Sequence, residues 1–367
     1  MDALMLPLNW QRVRLGDIGK PCMCKRVMKH QTTRYGEIPF YKIGTFGNTA
    51  DAFISKKLFL EYKTKYSFPK KGDILISASG TIGKAVIYDG KPAYFQDSNI
   101  VWIDNDETLV KNDFLFYAYS NVKWNTEHTT ILRLYNDNFR NTLIPLPPLN
   151  EQNAIANILS DLDRYLCALD ALILKKEGVK KALSFELLSQ RKRLKGFNQA
   201  WQRVRLGDIA NYLTSNLSVE QITQQGEIKV YDVNNFIGYT DTTFISDKPY
   251  ISIVKDGSVG RVRILPPKTN ILSTMGALIA NHRTTTEFLF YLLSNFDFKN
   301  FTSGSIIPHI YFKDYKEKTI FLPPLNEQSA IANILSGLDN EITSLKNKKR
   351  QFENIKKALN HDLMSAK

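Results

Sequence analysis

The sequence predicts an α+β fold in which two mostly β domains alternate with two long amphipathic helices, as a tandem repeat of pseudo-two-fold character. Three observations carry this. The stretch WQRVRLGDI occurs at residues 10–18 and, letter for letter, at 201–209. The stretches LPPLNEQNAIANILSDLD and LPPLNEQSAIANILSGLD start at Leu146 and Leu322 and differ only at Asn153/Ser329 and Asp161/Gly337. The segments between these motifs alternate short β-branched and aromatic runs with Gly, Pro, Asn and Asp, while those after LPPLNEQ carry apolar residues at steps of three and four. The period is too long and the copies too few for a solenoid.

Taken in order, the elements are a first β domain over 1–145, a helix over 146–200, a second β domain over 201–321 and a second helix over 322–367. The β domains share a faint frame. GDILISASGTIGKAVI (72–87) lies on YISIVKDGSVGRVRI (250–264), which places Gly80, Thr81, Gly83 and Lys84 over Gly257, Ser258, Gly260 and Arg261. DFLFYAYSN (113–121) matches EFLFYLLSN (287–295) and reads as the one short helix of each domain. The second β domain is the shorter: the LPPLNEQ copies start 176 residues apart and the WQRVRLGDI copies 191.

Each LPPLNEQ is a helix start. Pro147-Pro148 and Pro323-Pro324 stop the preceding strand, Asn150 and Asn326 are good N-caps, and Glu151 and Glu327 suit the positive helix end. The first stripe is Ile155, Ile158, Leu162, Leu166, Leu169, Ile173, Val179, Leu183 and Leu187. The second is Ile331, Ile334, Leu338, Ile342, Leu345, Phe352, Ile355, Leu359 and Leu363. Pairing is expected through Leu162, Leu166, Leu169, Leu183, Leu338, Ile342, Leu345 and Leu359. Each helix has about 40 residues and a length near 60 Å. Such stripes need a partner. Oligomerisation between chains is one solution; two matching stripes in one chain favour an intramolecular pair. Lys176 aligns with Phe352 and Ile173 with Lys349, so in an antiparallel pair each lysine meets a different level and can fix register.

The 367 residues allow two to three domains, and a hydrophobic content of 43% can fill real cores. A formal net charge of +13 favours a polyanionic partner, nucleic acid first. Three cysteines are too few for a disulfide framework, and the start lacks the pattern of a signal peptide. No apolar run reaches the roughly 18 residues that span a bilayer. A cytoplasmic protein without a membrane partner is expected.

Catalytic motifs are weak. SASGTIGK lacks the first glycine of a P-loop at the needed spacing and has Ala85 in place of Ser or Thr. Cys22 and Cys24 lack a second pair for zinc, the five histidines are scattered, and the spacing of Asp51, Glu61 and Lys63 fits a nuclease only at the level of chance. No glycine-rich loop opens a Rossmann helix. The chain reads as a binder, with no catalytic residue and no metal site. Candidate phosphate contacts are Ser79, Thr81 and Lys84 in one glycine loop, and Ser258 and Arg261 in the other. Lys25, Arg26, Arg34, Lys70 and Lys71 lie in basic segments that mix with turn or aromatic residues. Arg133, Tyr135, His309 and Tyr311 occupy matching positions ahead of the two long helices. A solvated surface charge is the alternative for any single lysine, and a tight hairpin for the glycine loops.

The opening motif, the SGTIGK-type loop and above all the doubled PLPPLNEQ.AIANIL helix start resemble the specificity (S) subunit of Type I restriction–modification enzymes, over essentially the whole chain. The resemblance implies two target-recognition domains separated by two antiparallel coiled-coil helices. Each domain reads half of a bipartite, asymmetric site in double-stranded DNA. It also implies two methyltransferase subunits that modify adenine and two ATP-dependent motor–nuclease subunits as partners. S-adenosylmethionine, ATP and Mg then belong to those partners, and this subunit holds no cofactor. Two other readings stay open: a stand-alone DNA-modifying enzyme, and a coiled-coil adaptor with no nucleic-acid role.

Overall fold

A computed structural model describes residues 7, 9–124 and 133–365. It divides into two compact units, one of residues 1–169 with 348–367 and the other of 170–347. Each unit thus contains one β domain, the start of the long helix that follows it, and the end of the other long helix.

In the first unit β1 (Gln11–Arg14) leads through the short α1 (Leu15–Ile18) into β2 (Gly19–Met23). There follow β3 (Ile38–Tyr41), β4 (Phe53–Ile54), α2 (Lys56–Lys65), β5 (Ile74–Ser77), β6 (Ala85–Ile87), β7 (Tyr94–Phe95) and β8 (Ile100–Asn105). Next come α3 (Asn112–Tyr119), α4 (Asn136–Asn141), β9 (Leu143–Leu146) and the long α5 (Leu149–Leu188). Strands β2-β8-β5-β6 form an antiparallel sheet, β4-β3-β7 a mixed one with β3 parallel to β7, and β1 pairs with β9.

Alternation along the strands explains the layering, because successive side chains leave opposite faces. Ile74 and Ile76 of β5, with Val101 and Ile103 of β8, join a core with Phe114, Leu115, Ile155 and Leu159 from the helices. Leu75, Ile100 and Trp102 point the other way, into a second core with Phe40, Ile54 and Tyr94. The layers are therefore helix, four-stranded sheet, three-stranded sheet. Leu363 and Met364, near the C-terminal end of the chain, complete the helical side.

The second unit repeats the order. Its strands are β10 (Gln202–Arg205), β11 (Ala210–Thr214), β12 (Ile228–Tyr231), β13 (Phe236–Thr240), β14 (Tyr250–Val254), β15 (Val262–Leu265), β16 (Thr269–Ile271) and β17 (Met275–Ala280). Then come α6 (Thr286–Ser294), a ribbon of β18 (Thr302–Ser303) and β19 (His309–Ile310), α7 (Phe312–Tyr315), β20 (Thr319–Leu322) and α8 (Leu325–Ser365). The sheets β11-β17-β14-β15 and β13-β12-β16 copy those of the first unit strand for strand. Ile251 and Ile253 face the helical core; Tyr250 and Val254 face the other. Helix α2 has no counterpart: residues 241–249 connect β13 to β14 without one. That helix accounts for much of the extra length of the first domain, and its turn of LFLEYK was not foreseen from the sequence.

Within each unit the two long helices pair antiparallel. In the second, Lys176 meets Glu341 at 2.8 Å, Glu177 meets Lys346 at 2.6 Å and Lys180 meets Asp339 at 2.5 Å. In the first, Asp163 meets Lys356 at 2.5 Å, and the Tyr165 and Phe352 rings lie 4.7 Å apart. Leu169 and Ile342 are buried, while Leu162, Leu166, Leu183, Leu338, Leu345 and Leu359 are half-buried. Four expected stripe positions are corrected. Ile158 and Ile334 are exposed because the stripe steps by four here, from Ile155 to Leu159 and from Ile331 to Leu335, both of which are fully buried. Val179 and Ile355 are exposed because the seam at their levels is made of the lysine–carboxylate pairs. The N-caps are also corrected. The Gln152 and Gln328 amides donate to Pro148 and Pro324 at 2.9 Å, so the second proline of each LPPLNEQ caps the helix and Asn150 and Asn326 lie in the first turn. Among the described residues no helix is long and apolar enough to cross a membrane.

Candidate nucleic-acid interface

The duplicated motifs fold against each other and build a frame twice. WQRVR supplies β1 and β10, which pair with the strands that run into LPPLNEQ. The Trp10 Nε1 donates to Glu151 at 2.7 Å, and the Trp201 Nε1 to Glu327 at 3.0 Å. Glu327 is fully buried and also receives the Arg193 guanidinium through bonds of 2.6 and 3.1 Å, a paired geometry that offsets its desolvation. Gln152 and Gln328 are buried plugs. The first accepts from the Lys111 amide at 2.8 Å and donates to Pro147 at 2.9 Å. The second accepts from the Thr285 amide at 3.0 Å and donates to Pro323 at 2.8 Å.

A second duplicated device ties the short helix of each domain to the long pair. The Tyr117 hydroxyl donates to Asp163 at 2.8 Å, Asp163 accepts from Lys356, and that ammonium sits 5.7 Å from the Tyr117 ring. Tyr291 donates to Asp339 at 2.9 Å, Asp339 accepts from Lys180, and the ammonium sits 5.8 Å from the Tyr291 ring. Burial, and then the neighbouring carboxylate, hold both phenols well above the ordinary tyrosine range, so they stay protonated and donate to the carboxylates. Sequence reasoning missed these triads, although all four Tyr and Asp residues sit in repeated stretches.

The glycine loops are hairpin turns between β5 and β6 and between β14 and β15. Gly80 and Gly83 have φ of 66° and 82°, and Gly257 and Gly260 84° and 81°. A Cβ on Gly83 would meet Trp124 Nε1 at 2.0 Å, and one on Gly260 would meet the Phe298 ring at 2.6 Å. The turns use several of their own amides. The Gly83 amide donates to Ser77 and the Gly260 amide to Val254, each at 2.9 Å, while Ile82 and Val259 bond back to Gly80 and Gly257. What the loops do is bring a second segment alongside. Ser79 bridges Arg133, Asp256 bridges His309, and the Leu134 and Ile310 amides donate to Ala78 and Lys255.

The frame is shared, but the side chains on this edge are not. In the first domain the Ser79 hydroxyl donates to Asn99 at 2.8 Å, and Arg133 donates to the Ser98 hydroxyl at 2.7 Å, with Ser98 held at φ 52°. Arg26 joins the same edge through Asp97 at 3.2 Å. In the second domain His309 Nδ1 lies 2.7 Å from Asp256. Ser79 is buried and already bonded, which removes it as a phosphate contact. Lys84 is exposed, with its ammonium donating to the Phe46 carbonyl at 2.6 Å. Thr81, Ser258, Arg261, Tyr135 and Tyr311 are exposed on the edge. Lys70 and Lys71 are not: they precede β5 while the loop follows it, and Lys70 pairs with Asp104 at 3.0 Å at the opposite end of the sheet. Lys25 lies over the Tyr66 ring at 5.1 Å, and Arg34 is exposed on the turn before β3. Ser98, Asn99 and Asp256 were not foreseen; the turn pairs DS and DG were their only trace in the sequence.

The model of the Type I restriction modification DNA specificity domain matches residues 7–176 and again 198–354. The chain belongs to this family. This specificity chain is 61% identical over 152 residues to a putative type I restriction enzyme specificity subunit of Haemophilus influenzae, a match that takes in 41% of this chain and only 40% of that protein. It is 25% identical to the MjaVIII specificity subunit of Methanocaldococcus jannaschii, over 100% of this chain and 95% of that one. Its fold is similar to the crystal structure of a Type I restriction–modification S subunit from M. genitalium, with a TM-score of 0.67 and 19% identity over 99% of this chain and 98% of the other. Each specificity domain contains one glycine-loop edge and one frame.

Proposed function

We propose that the chain reads a bipartite, asymmetric DNA site, one half with each domain, and makes or breaks no bond itself. The observation that carries this is the contrast between frame and edge. Trp–Glu, the glutamine plug and Tyr–Asp–Lys are repeated residue for residue, whereas one edge carries Ser79, Ser98 and Arg133 and the other carries Asp256 and His309. A repeated frame offers the same surface twice, which suits two copies of a methyltransferase subunit. Unlike edges suit two unlike half-sites. Two motor–nuclease subunits complete the assembly; S-adenosylmethionine serves the methyltransferase subunits, and ATP and Mg likewise belong to partner subunits. The net charge of +13 supports the polyanionic partner. Turnover on duplex DNA tests the reading. The purified chain alone should methylate and cleave nothing; with its modification subunit and S-adenosylmethionine it should methylate adenine. DNA affinity should fall steeply with salt. Turnover by the chain alone would favour the stand-alone enzyme, and salt-independent behaviour the adaptor.

A further inference from the structure

The β18–β19 ribbon ends in the barest large apolar side chain among the described residues. Ile306 is 92% exposed, and Ile307 beside it 54%. A single exposed aliphatic residue on a surface needs no explanation. Here two stand in succession at the tip of a ribbon whose base is bonded to the glycine loop. Thr302 pairs with Ile310 and Ser303 with His309. Gly304, at φ 89°, closes the tip so tightly that a Cβ would lie 2.3 Å from the Ile307 carbonyl oxygen. The base of the ribbon is fastened to the glycine loop by Gly257 N–H donating to Pro308, by Ile310 N–H donating to Lys255 and by the His309–Asp256 pair. Exposed Ser258, Arg261 and Tyr311 surround that base.

We infer that this ribbon enters the major groove of the second half-site and that Ile306 reads a thymine through its 5-methyl group. The inference rests on the proposal above that the second domain binds duplex DNA. The major groove admits a two-stranded β-ribbon, and the thymine methyl is the one apolar feature a base edge presents there. The fastened base limits the freedom that is lost on docking, and the isoleucine, already in water, gains by leaving it. Beside that base the exposed Arg261 guanidinium and the Ser258 and Tyr311 hydroxyls can meet flanking phosphates.

The test uses the full chain assembled with its modification subunit, on a duplex containing the site defined by methylation mapping. Thymines of the second half-site are replaced one at a time by deoxyuridine, which lacks only the methyl group. With the natural chain, one replacement should weaken binding about fourfold, as expected for one buried methyl group. Ile306→Ala should bind the unaltered duplex more weakly by at least that factor, lose sensitivity to that replacement, and keep the same salt dependence. Its thermal melting should be unchanged, since the removed atoms lie in solvent. Equal deoxyuridine penalties in both proteins, an Ile306→Ala affinity equal to the natural one, or a second half-site without thymine would overturn the inference alone. A natural complex that binds no bipartite site would remove the functional reading beneath it.

Discussion

Gln328→Leu puts the repeated frame to a quantitative test. The side chain is fully buried and makes four bonds: it accepts from Thr284 Oγ1 at 2.9 Å and the Thr285 amide at 3.0 Å, and donates to Arg283 at 2.9 Å and Pro323 at 2.8 Å. Leucine fills nearly the same volume, so the cost is polar rather than a cavity. The half-buried Thr285 N–H is left bare, at about 1–3 kcal/mol. The Thr284 hydroxyl turns weakly to the Thr285 carbonyl, already 3.4 Å away, and the two carbonyls bear the loss more easily. Together the substitution should cost roughly 3 kcal/mol. For a unit of this size that is a fall in melting temperature of about 6–12 °C. Thermal denaturation of the purified chain, followed by circular dichroism, reads it directly. Gln152→Leu removes the matching bonds in the first unit and should cost a similar amount. A melting temperature within about 2 °C of the natural protein would refute the plug as a stabilising element.

The glycines of one loop should separate. Gly260→Ala meets both a positive φ and the Phe298 ring and should destabilise by more than about 2 kcal/mol, while Gly257→Ala, with open space around it, should lose only about 1 kcal/mol in denaturant titration. Arg261→Ala should weaken DNA binding across sequences and reduce the salt slope by about 1; a change in the recognised bases would contradict a phosphate role. Burial pushes the Cys24 thiol up to about 12, so at pH 8 it stays protonated, whereas Cys167 is exposed. A thiol reagent at pH 8 should therefore modify Cys167 first, with Cys24 reacting only on unfolding, as peptide mapping can show.

The repeats made the architecture legible: two β domains, two long helices and the short FLFY helices all follow from motifs that are printed twice. Local periodicity was a poorer guide to register. Steps of three and four from Ile155 are equally good in the sequence, and only the β domain packed against it selects Leu159 over Ile158. The proline cap was hidden because Asn150 fits the side-chain rule, while the helix already begins at Leu149. The edge was half legible. Glycines marked both loops, and Arg133 and His309 stood at matching places, but the union of loop and segment is a β-bridge that depends on long-range folding. Ser79 looked available because exposure cannot be read from a hydroxyl in a polar string. Lys70 and Lys71 stand out for their basic segment alone, and the strand of four residues that follows them carries the loop to the opposite end of the sheet.

Mapping adenine methylation across the genome of a host that carries this chain and its modification subunit addresses the central claim most directly. Two short, unlike half-sites at one fixed separation are the result that unlike edges on a repeated frame require. A single uninterrupted palindrome would contradict it.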